Sequence, residues 1–200
     1  MSQSKRAKDR YHIKLDSGQS LLVSVAHISD YSLYTGRELS EEELKELSEA
    51  VAKSSAKDRA FRIISNRNMS HDEMRKRLIE KGETPEVAEE TADWLEDIGI
   101  LNDTEYAGMI VRHYTARGYG AGKVKNELFR RGVDRSLWED ALEQIPENSD
   151  AIDKFIAARL KNGKPDRAET KKVSDALFRR GFSWDEIRSA LSRYSENFEE

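Results

Sequence analysis

The chain has 200 residues, with 34 Lys and Arg against 38 Asp and Glu, a net charge of −4 and an apolar share of only 37%. No run of 18 apolar residues exists, so no membrane-spanning helix is expected, and the polar, basic start holds no apolar stretch for a secretory signal. With no cysteine, disulfides and thiolate chemistry are excluded, as befits a reducing cytoplasm.

Residues 1–10 read as a flexible basic tail. Tyr11, Ile13 and Leu15 then alternate with polar residues, Asp16-Ser17-Gly18 signals a turn, and Leu21 to Val25 follow, which predicts a β-hairpin. A lone two-stranded ribbon is marginal in water, so it must pack on the first helices. A short helix is expected from Ile28 to Leu33, stopped before Gly36, within an extension spanning 11–54. From Ser40 onward the chain reads as helix. Ser40 with Glu43, Ser70 with Glu73 and Ser183 with Glu186 are capping boxes, imitated by Asn102 with Glu105 and Asp166 with Glu169. The three prolines, Pro85, Pro146 and Pro165, fall at helix boundaries, where a missing N–H costs least.

A repeat organises this helical part. Leu128-Phe129-Arg130-Arg131-Gly132 recurs as Leu177-Phe178-Arg179-Arg180-Gly181, with a fainter copy in Leu78-Ile79-Glu80-Lys81-Gly82. Glycines 50 and 49 positions apart, each after a basic last turn, predict left-handed caps of equivalent helices. Three three-helix units follow, at 55–99, 101–146 and 149–194, before an acidic tail at 195–200. In the third helix of each unit, Ala88, Trp138 and Ile187 share a register, as do Ala92, Leu142 and Leu191, and Leu95, Ile145 and Tyr194. Spacings of four and three place them on one buried stripe. Phe61, Val111 and Leu160 are the matching core positions of the first helices. The fold class is therefore mainly α, an elongated array of three tandem three-helix repeats with a small N-terminal β-hairpin extension.

A stack of thin helical layers offers a long surface rather than a deep pocket, which points to partner binding and away from an enzyme. His12, His27, His71 and His113 never fall at metal-ligand spacing with one another. The carboxylates sit on charged helix faces, with nothing to separate their pKa values as acid–base catalysis needs. No catalytic residue, metal or cofactor is expected. Gly118-Tyr119-Gly120-Ala121-Gly122-Lys123 imitates a phosphate loop, but Arg117 stands where its first glycine should be and Val124 replaces the hydroxyl residue. It reads as a flexible connection whose following helix N-terminus, near Lys123 and Lys125, could receive an anion.

Charge is uneven. Residues 37–49 carry six carboxylates against Arg37 and Lys45, whereas residues 112–131 carry Arg112, Arg117, Lys123, Lys125, Arg130 and Arg131 against Glu127 alone. The repeated Arg pairs admit two readings: last-turn cations that oppose the helix dipole, or a ladder along one edge that meets a filament or a nucleic acid backbone.

The chain resembles the bacterial RecX regulatory proteins. The first unit has Asn66-Arg67-Asn68-Met69-Ser70, then Glu73-Met74 and Leu78 ahead of Lys81-Gly82. The second has Gly99-Ile100-Leu101-Asn102-Asp103, Tyr106-Ala107, Gly118-Tyr119-Gly120, Glu127-Leu128 and Arg131-Gly132-Val133. Met74 stands where leucine is usual, and Ala121-Gly122 replaces a proline-containing stretch. The resemblance covers about residues 55–194. It implies a monomeric, curved array lying in the helical groove of the RecA–single-stranded DNA filament and inhibiting its growth, ATP hydrolysis, strand exchange and co-protease activity in DNA repair and the SOS response. Arg67, Arg75, Arg112, Arg117, Lys123, Lys125, Arg130, Arg131, Arg179 and Arg180 would contact acidic protein surface or DNA phosphates, with Gly118 and Gly120 allowing close approach. The alternatives are a nucleic-acid-binding repeat protein acting without RecA, and a scaffold for another helical protein.

Overall fold

Alternating apolar and polar residues put one strand face on a core, and in the computed structural model that alternation becomes a ladder. The structure describes residues 2–4, 9–146, 149–160 and 166–196. β1 is Ser2–Gln3, β2 Arg10–Lys14 and β3 Ser20–Ser24. β2 and β3 pair antiparallel with Ile13 opposite Leu21, so the hairpin forms as expected. Ser2 and Gln3, inside the segment read as a tail, add a third strand by pairing with His12 and Tyr11. The remainder of that tail reading, at 1 and 5–8, lies outside the described residues, as do 197–200 of the acidic tail.

The first helix, α1, is Val25–Asp30, directly after β3. It starts before the expected Ile28 because Ser24 and His27 cap it reciprocally: the His27 N–H donates to Ser24 Oγ, and the Ser24 N–H donates to His27 Nδ1. α2, Glu41–Ile64, opens on the Ser40–Glu43 capping box. It runs unbroken through positions 54 and 55, where extension and first repeat were divided. Ile13, Val23, Leu33, Leu47 and Val51 form one buried cluster, so the sheet packs on α2 as the ribbon required. Buried Arg10 ties β2 to the same helix, donating to Ser54 Oγ at 3.1 Å and pairing with Asp58.

After α2 come α3, His71–Glu80, and α4, Pro85–Asp97, which complete the first repeat. The second comprises α5, Asp103–Thr115, α6, Ala121–Arg130, a 3₁₀ turn at Arg135–Leu137 and α7, Trp138–Glu143. The third comprises α8, Ser149–Arg159, α9, Arg167–Arg179, and α10, Trp184–Glu196. The chain is thus mainly α, with three three-helix repeats and a small N-terminal sheet. None of the described helices is long and apolar enough to cross a membrane.

Two compact units result, Met1–Arg67 with Met74–Leu95, and Asn68–Glu73 with Glu96–Glu200. In the first unit, Ala56, Ala60, Met74, Leu78, Ala88, Ala92 and Leu95 are buried. Phe61 is a correction to the expected core: it is 41% exposed, edge-on to Trp94 at 5.5 Å between centroids. Small Ala56 and Ala60 hold the inward face of α2, and position 61 lies about 100° around the helix from 60. Its counterparts, Val111 and Leu160, are buried. In the second unit, Tyr106, Ala107, Val111, Val124 and Leu128 sit in one core cluster, and Ile156, Val173, Leu177, Ile187 and Ala190 in another.

The three repeated glycines end their helices alike. Gly82, Gly132 and Gly181 have φ of +95°, +68° and +91°. The next residue's N–H reaches back five positions, Glu83 to Leu78 O, Val133 to Leu128 O and Phe182 to Leu177 O. This is the Schellman arrangement, and it needs a left-handed residue where glycine stands.

Candidate functional site

The basic stretch of the second unit is built around one carboxylate. Val124 and Leu128 anchor α6 to the core, and Glu127, one residue earlier, is carried inward with them until only 5% of its side chain is exposed. Lys123 Nζ reaches Glu127 Oε1 at 3.0 Å from one turn before, and Arg130 Nη2 reaches Oε2 at 2.6 Å from one turn after. Arg131 Nε lies 3.6 Å from Oε2. Burial alone would raise the Glu127 pKa, but hydrogen bonds from Arg130, Lys123 and Tyr114 outweigh it and bring it down to about 2. Three of the six cations between 112 and 131 therefore share one carboxylate, although Arg130 stays largely exposed while it does so. In the sequence Glu127 is a lone opposing charge, and its i−4, i+3 and i+4 spacing to those cations is the signal that it gathers them.

The Arg pairs are not presented as pairs. Arg130 is exposed, but Arg131 is half-buried and donates from Nη1 to the Tyr106 hydroxyl at 2.6 Å. Arg179 is exposed, but Arg180 turns inward. Its guanidinium stands 4.8 Å from the Phe155 ring centroid and 5.3 Å from that of Tyr119, and donates to Gly118 O at 3.3 Å. A helix advances about 100° per residue, so adjacent cations cannot share an outward face.

The glycine-rich loop also has an occupant, and it is the chain itself. The Gly120 N–H donates to Arg180 O at 2.9 Å and the Gly122 N–H to Gly181 O at 2.8 Å. These are two of the N–H groups at the α6 N-terminus that lack a partner within the helix, so the expected anion site there is corrected: backbone carbonyls take two of its donors. Nor is the loop an untethered connection. A Cβ at Gly120 would lie 2.5 Å from Gly181 O, so the glycine does permit a close approach, to the turn of the next repeat. The same contact recurs one repeat earlier. Ser70 Oγ, at the start of α3, donates to Arg131 O, and Gly132 packs against Asp72. In the first unit the equivalent carbonyl, Lys81 O, instead accepts from Arg59 Nη1 of α2 at 2.6 Å, and Gly82 faces open space.

The other candidate cations are scattered. Arg67 is exposed, and Arg75 is half-buried with Nε 3.3 Å from Glu89 Oε2. Arg112 and Lys125 are exposed, and Arg117, also exposed, lies with Nη1 3.2 Å from His113 Nε2.

What the candidate set missed is aromatic. Phe129 is 67% exposed and Phe178 50% exposed, at the same position of the two repeated pentapeptides. Phe178 stacks on Trp184, itself 47% exposed, with centroids 5.0 Å apart and ring planes at 19°. The preceding residues, Leu128 and Leu177, are fully buried, so helical phase alone would have put both phenylalanines outside.

Family models for the first, second and third three-helix domains of RecX match residues 56–95, 102–142 and 147–191. A regulatory protein RecX from Chromohalobacter salexigens is 32% identical over 142 residues, covering 70% of this chain and 93% of that protein. One from Clostridioides difficile is 24% identical over 205 residues, covering 100% and 96%. A crystal structure of a regulatory protein RecX superposes with a TM-score of 0.74 at 25% identity, covering 98% of this chain and 96% of the other. RecX from Lactobacillus salivarius, at 22% identity and a TM-score of 0.61, shares the fold over 72% of this chain and 97% of its own.

Proposed function

The chain belongs to the RecX family of regulatory proteins, and from that premise we propose that it restrains the RecA recombinase. In this reading it works in the cytoplasm as a monomer, binds the RecA–single-stranded DNA filament, and limits filament growth. ATP hydrolysis, strand exchange and co-protease activity fall as a consequence. The observation that carries the reading is the reuse of one module three times. Each copy can meet one copy of a repeating partner, and linked weak contacts gain affinity through effective concentration rather than through a deep site. Regulation of this kind needs no chemistry of its own, which fits a chain whose relatives are named as regulators.

We divide the candidate residues for this role by their exposure. Exposed Arg67, Arg112, Arg117, Lys125, Arg130 and Arg179 are the ones we assign to acidic protein surface or DNA phosphate. Half-buried Arg75, Lys123, Arg131 and Arg180, with Gly118 and Gly120, we assign to holding the surface in shape. The test is filament length by electron microscopy together with single-strand-dependent ATP hydrolysis by RecA, with and without substoichiometric protein. Shorter filaments and slower hydrolysis are expected, and both weaken when Lys125, Arg130 and Arg179 are changed to Glu. Unchanged filaments and hydrolysis overturn the proposal. Binding to oligonucleotide without RecA, falling steeply with salt, would instead identify a direct nucleic-acid binder.

A further inference from the structure

We propose that Phe129 and Phe178 are the anchors of the docking surface, each entering an apolar recess rimmed by carboxylates on one of two successive copies of the protein partner. The proposal rests on the RecA reading above and names the contact chemistry of that surface. Three observations carry it. First, four of the ten candidate cations are half-buried and held within the chain, among them Lys123 and Arg131 beside Glu127 and Arg180 between Phe155 and Tyr119, so they do not form a continuous phosphate-tracking groove. What both repeated pentapeptides leave outside is an exposed ring, Phe129 in one copy and Phe178, stacked on exposed Trp184, in the other.

Second, each ring is followed by an exposed arginine, Arg130 or Arg179, so an apolar recess that takes the ring is complemented by acidic residues at its edge. Aromatic residues, phenylalanine included, and arginine are both enriched at protein interfaces relative to the rest of the surface. Third, the rings are tied together. The Arg180–Gly181 turn that follows Phe178 is hydrogen-bonded to the start of α6, and Phe129 stands near the other end of that ten-residue helix. The clasp fixes the spacing of the anchors, and fixed spacing is what two-point attachment to a periodic partner requires.

The experiment compares the full-length parent with Phe129→Ala, Phe178→Ala and the double variant. It reads the concentration that half-inhibits RecA's single-strand-dependent ATP hydrolysis, with direct binding to a fluorescent oligo(dT) in the absence of RecA alongside. Both side chains are largely outside the core, and far-UV circular dichroism with a denaturation midpoint checks that each variant is folded. Each single change is expected to raise the half-inhibiting concentration about ten-fold and the double change about a hundred-fold, with oligonucleotide binding unaltered. Phe→Trp at both positions is expected to retain inhibition. A folded double variant that inhibits like the parent overturns the anchor assignment alone. A parallel loss of oligonucleotide binding overturns the protein occupant and gives the rings to stacked bases. A parent that fails to inhibit RecA overturns the underlying reading, and this proposal with it.

Discussion

Replacing the repeated glycines by alanine separates backbone conformation from close packing, because the three positions share the first and differ in the second. All three have positive φ, and holding alanine there costs about 1–2 kcal/mol. At Gly82 nothing lies within 4 Å of the added methyl, so that cost is the whole effect. At Gly132 the methyl meets Asp72 Oδ2 at 2.5 Å, a side chain that can turn aside. At Gly181 it runs into the Lys123 backbone N and lies 3.0 Å from Gly120 O, and backbone cannot turn aside. The clasp must open, losing the Gly120 and Gly122 N–H bonds at about 0.5–1.5 kcal/mol each. Gly181→Ala should therefore cost about 2–5 kcal/mol against about 1–2 for Gly82→Ala, with Gly132→Ala between. Denaturant unfolding of each variant measures the order, and amide hydrogen exchange at Gly120 and Gly122 shows whether the clasp has opened. Equal losses at 82 and 181, or full protection of both amides in Gly181→Ala, would refute the reasoning.

The carboxylate hub gives a pH-dependent expectation. The Glu127 pKa is lowered from 4.5 to about 2 in the fold, so its stabilisation is complete above about 4.5 and lost as pH falls toward 2. Glu127→Gln should cost about 3 kcal/mol at pH 7, converging with the parent by pH 2 in denaturant titrations. Arg131→Ala should cost about 1–3 kcal/mol by leaving Tyr106 and Glu127 short of a donor, whereas exposed Arg179→Ala should stay within about 0.5 kcal/mol, both read from thermal unfolding. In the N-terminal unit, burial and the nearby Arg10 charge hold the His27 pKa below its ordinary 6.5. The unfolded chain takes the proton first as pH falls, so stability is full above about 6.5 and declines below it. His27→Gln keeps a capping residue and should flatten that dependence between pH 5 and 7 in urea midpoints.

Some of the candidate surface was already visible in one dimension. The exposed positions of Arg130 and Arg179 follow from helical phase relative to Leu128 and Leu177, and so do those of the two phenylalanines. The inward turn of Arg180 was not visible, because Phe155 and Tyr119 lie 25 and 61 positions away. Phe61 shows the converse limit. Register aligned it with Val111 and Leu160, but alanines at 56 and 60 took the inward face of its helix.

The amino-acid order by itself determined whatever is written in local spacing or in a period: the hairpin, the capping boxes at Ser40, Asp166 and Ser183, the glycine terminations and the threefold module. The capping bonds and glycine terminations span three to five residues, so spacing encodes them directly, while the hairpin and the module show as an alternation and a repeat. Only the folded chain decided that Gly120 and Gly122 receive the carbonyls of Arg180 and Gly181, and that Arg180 turns inward onto Tyr119. Bonds across some sixty residues depend on which surfaces meet once the modules have formed, and no local pattern specifies that meeting.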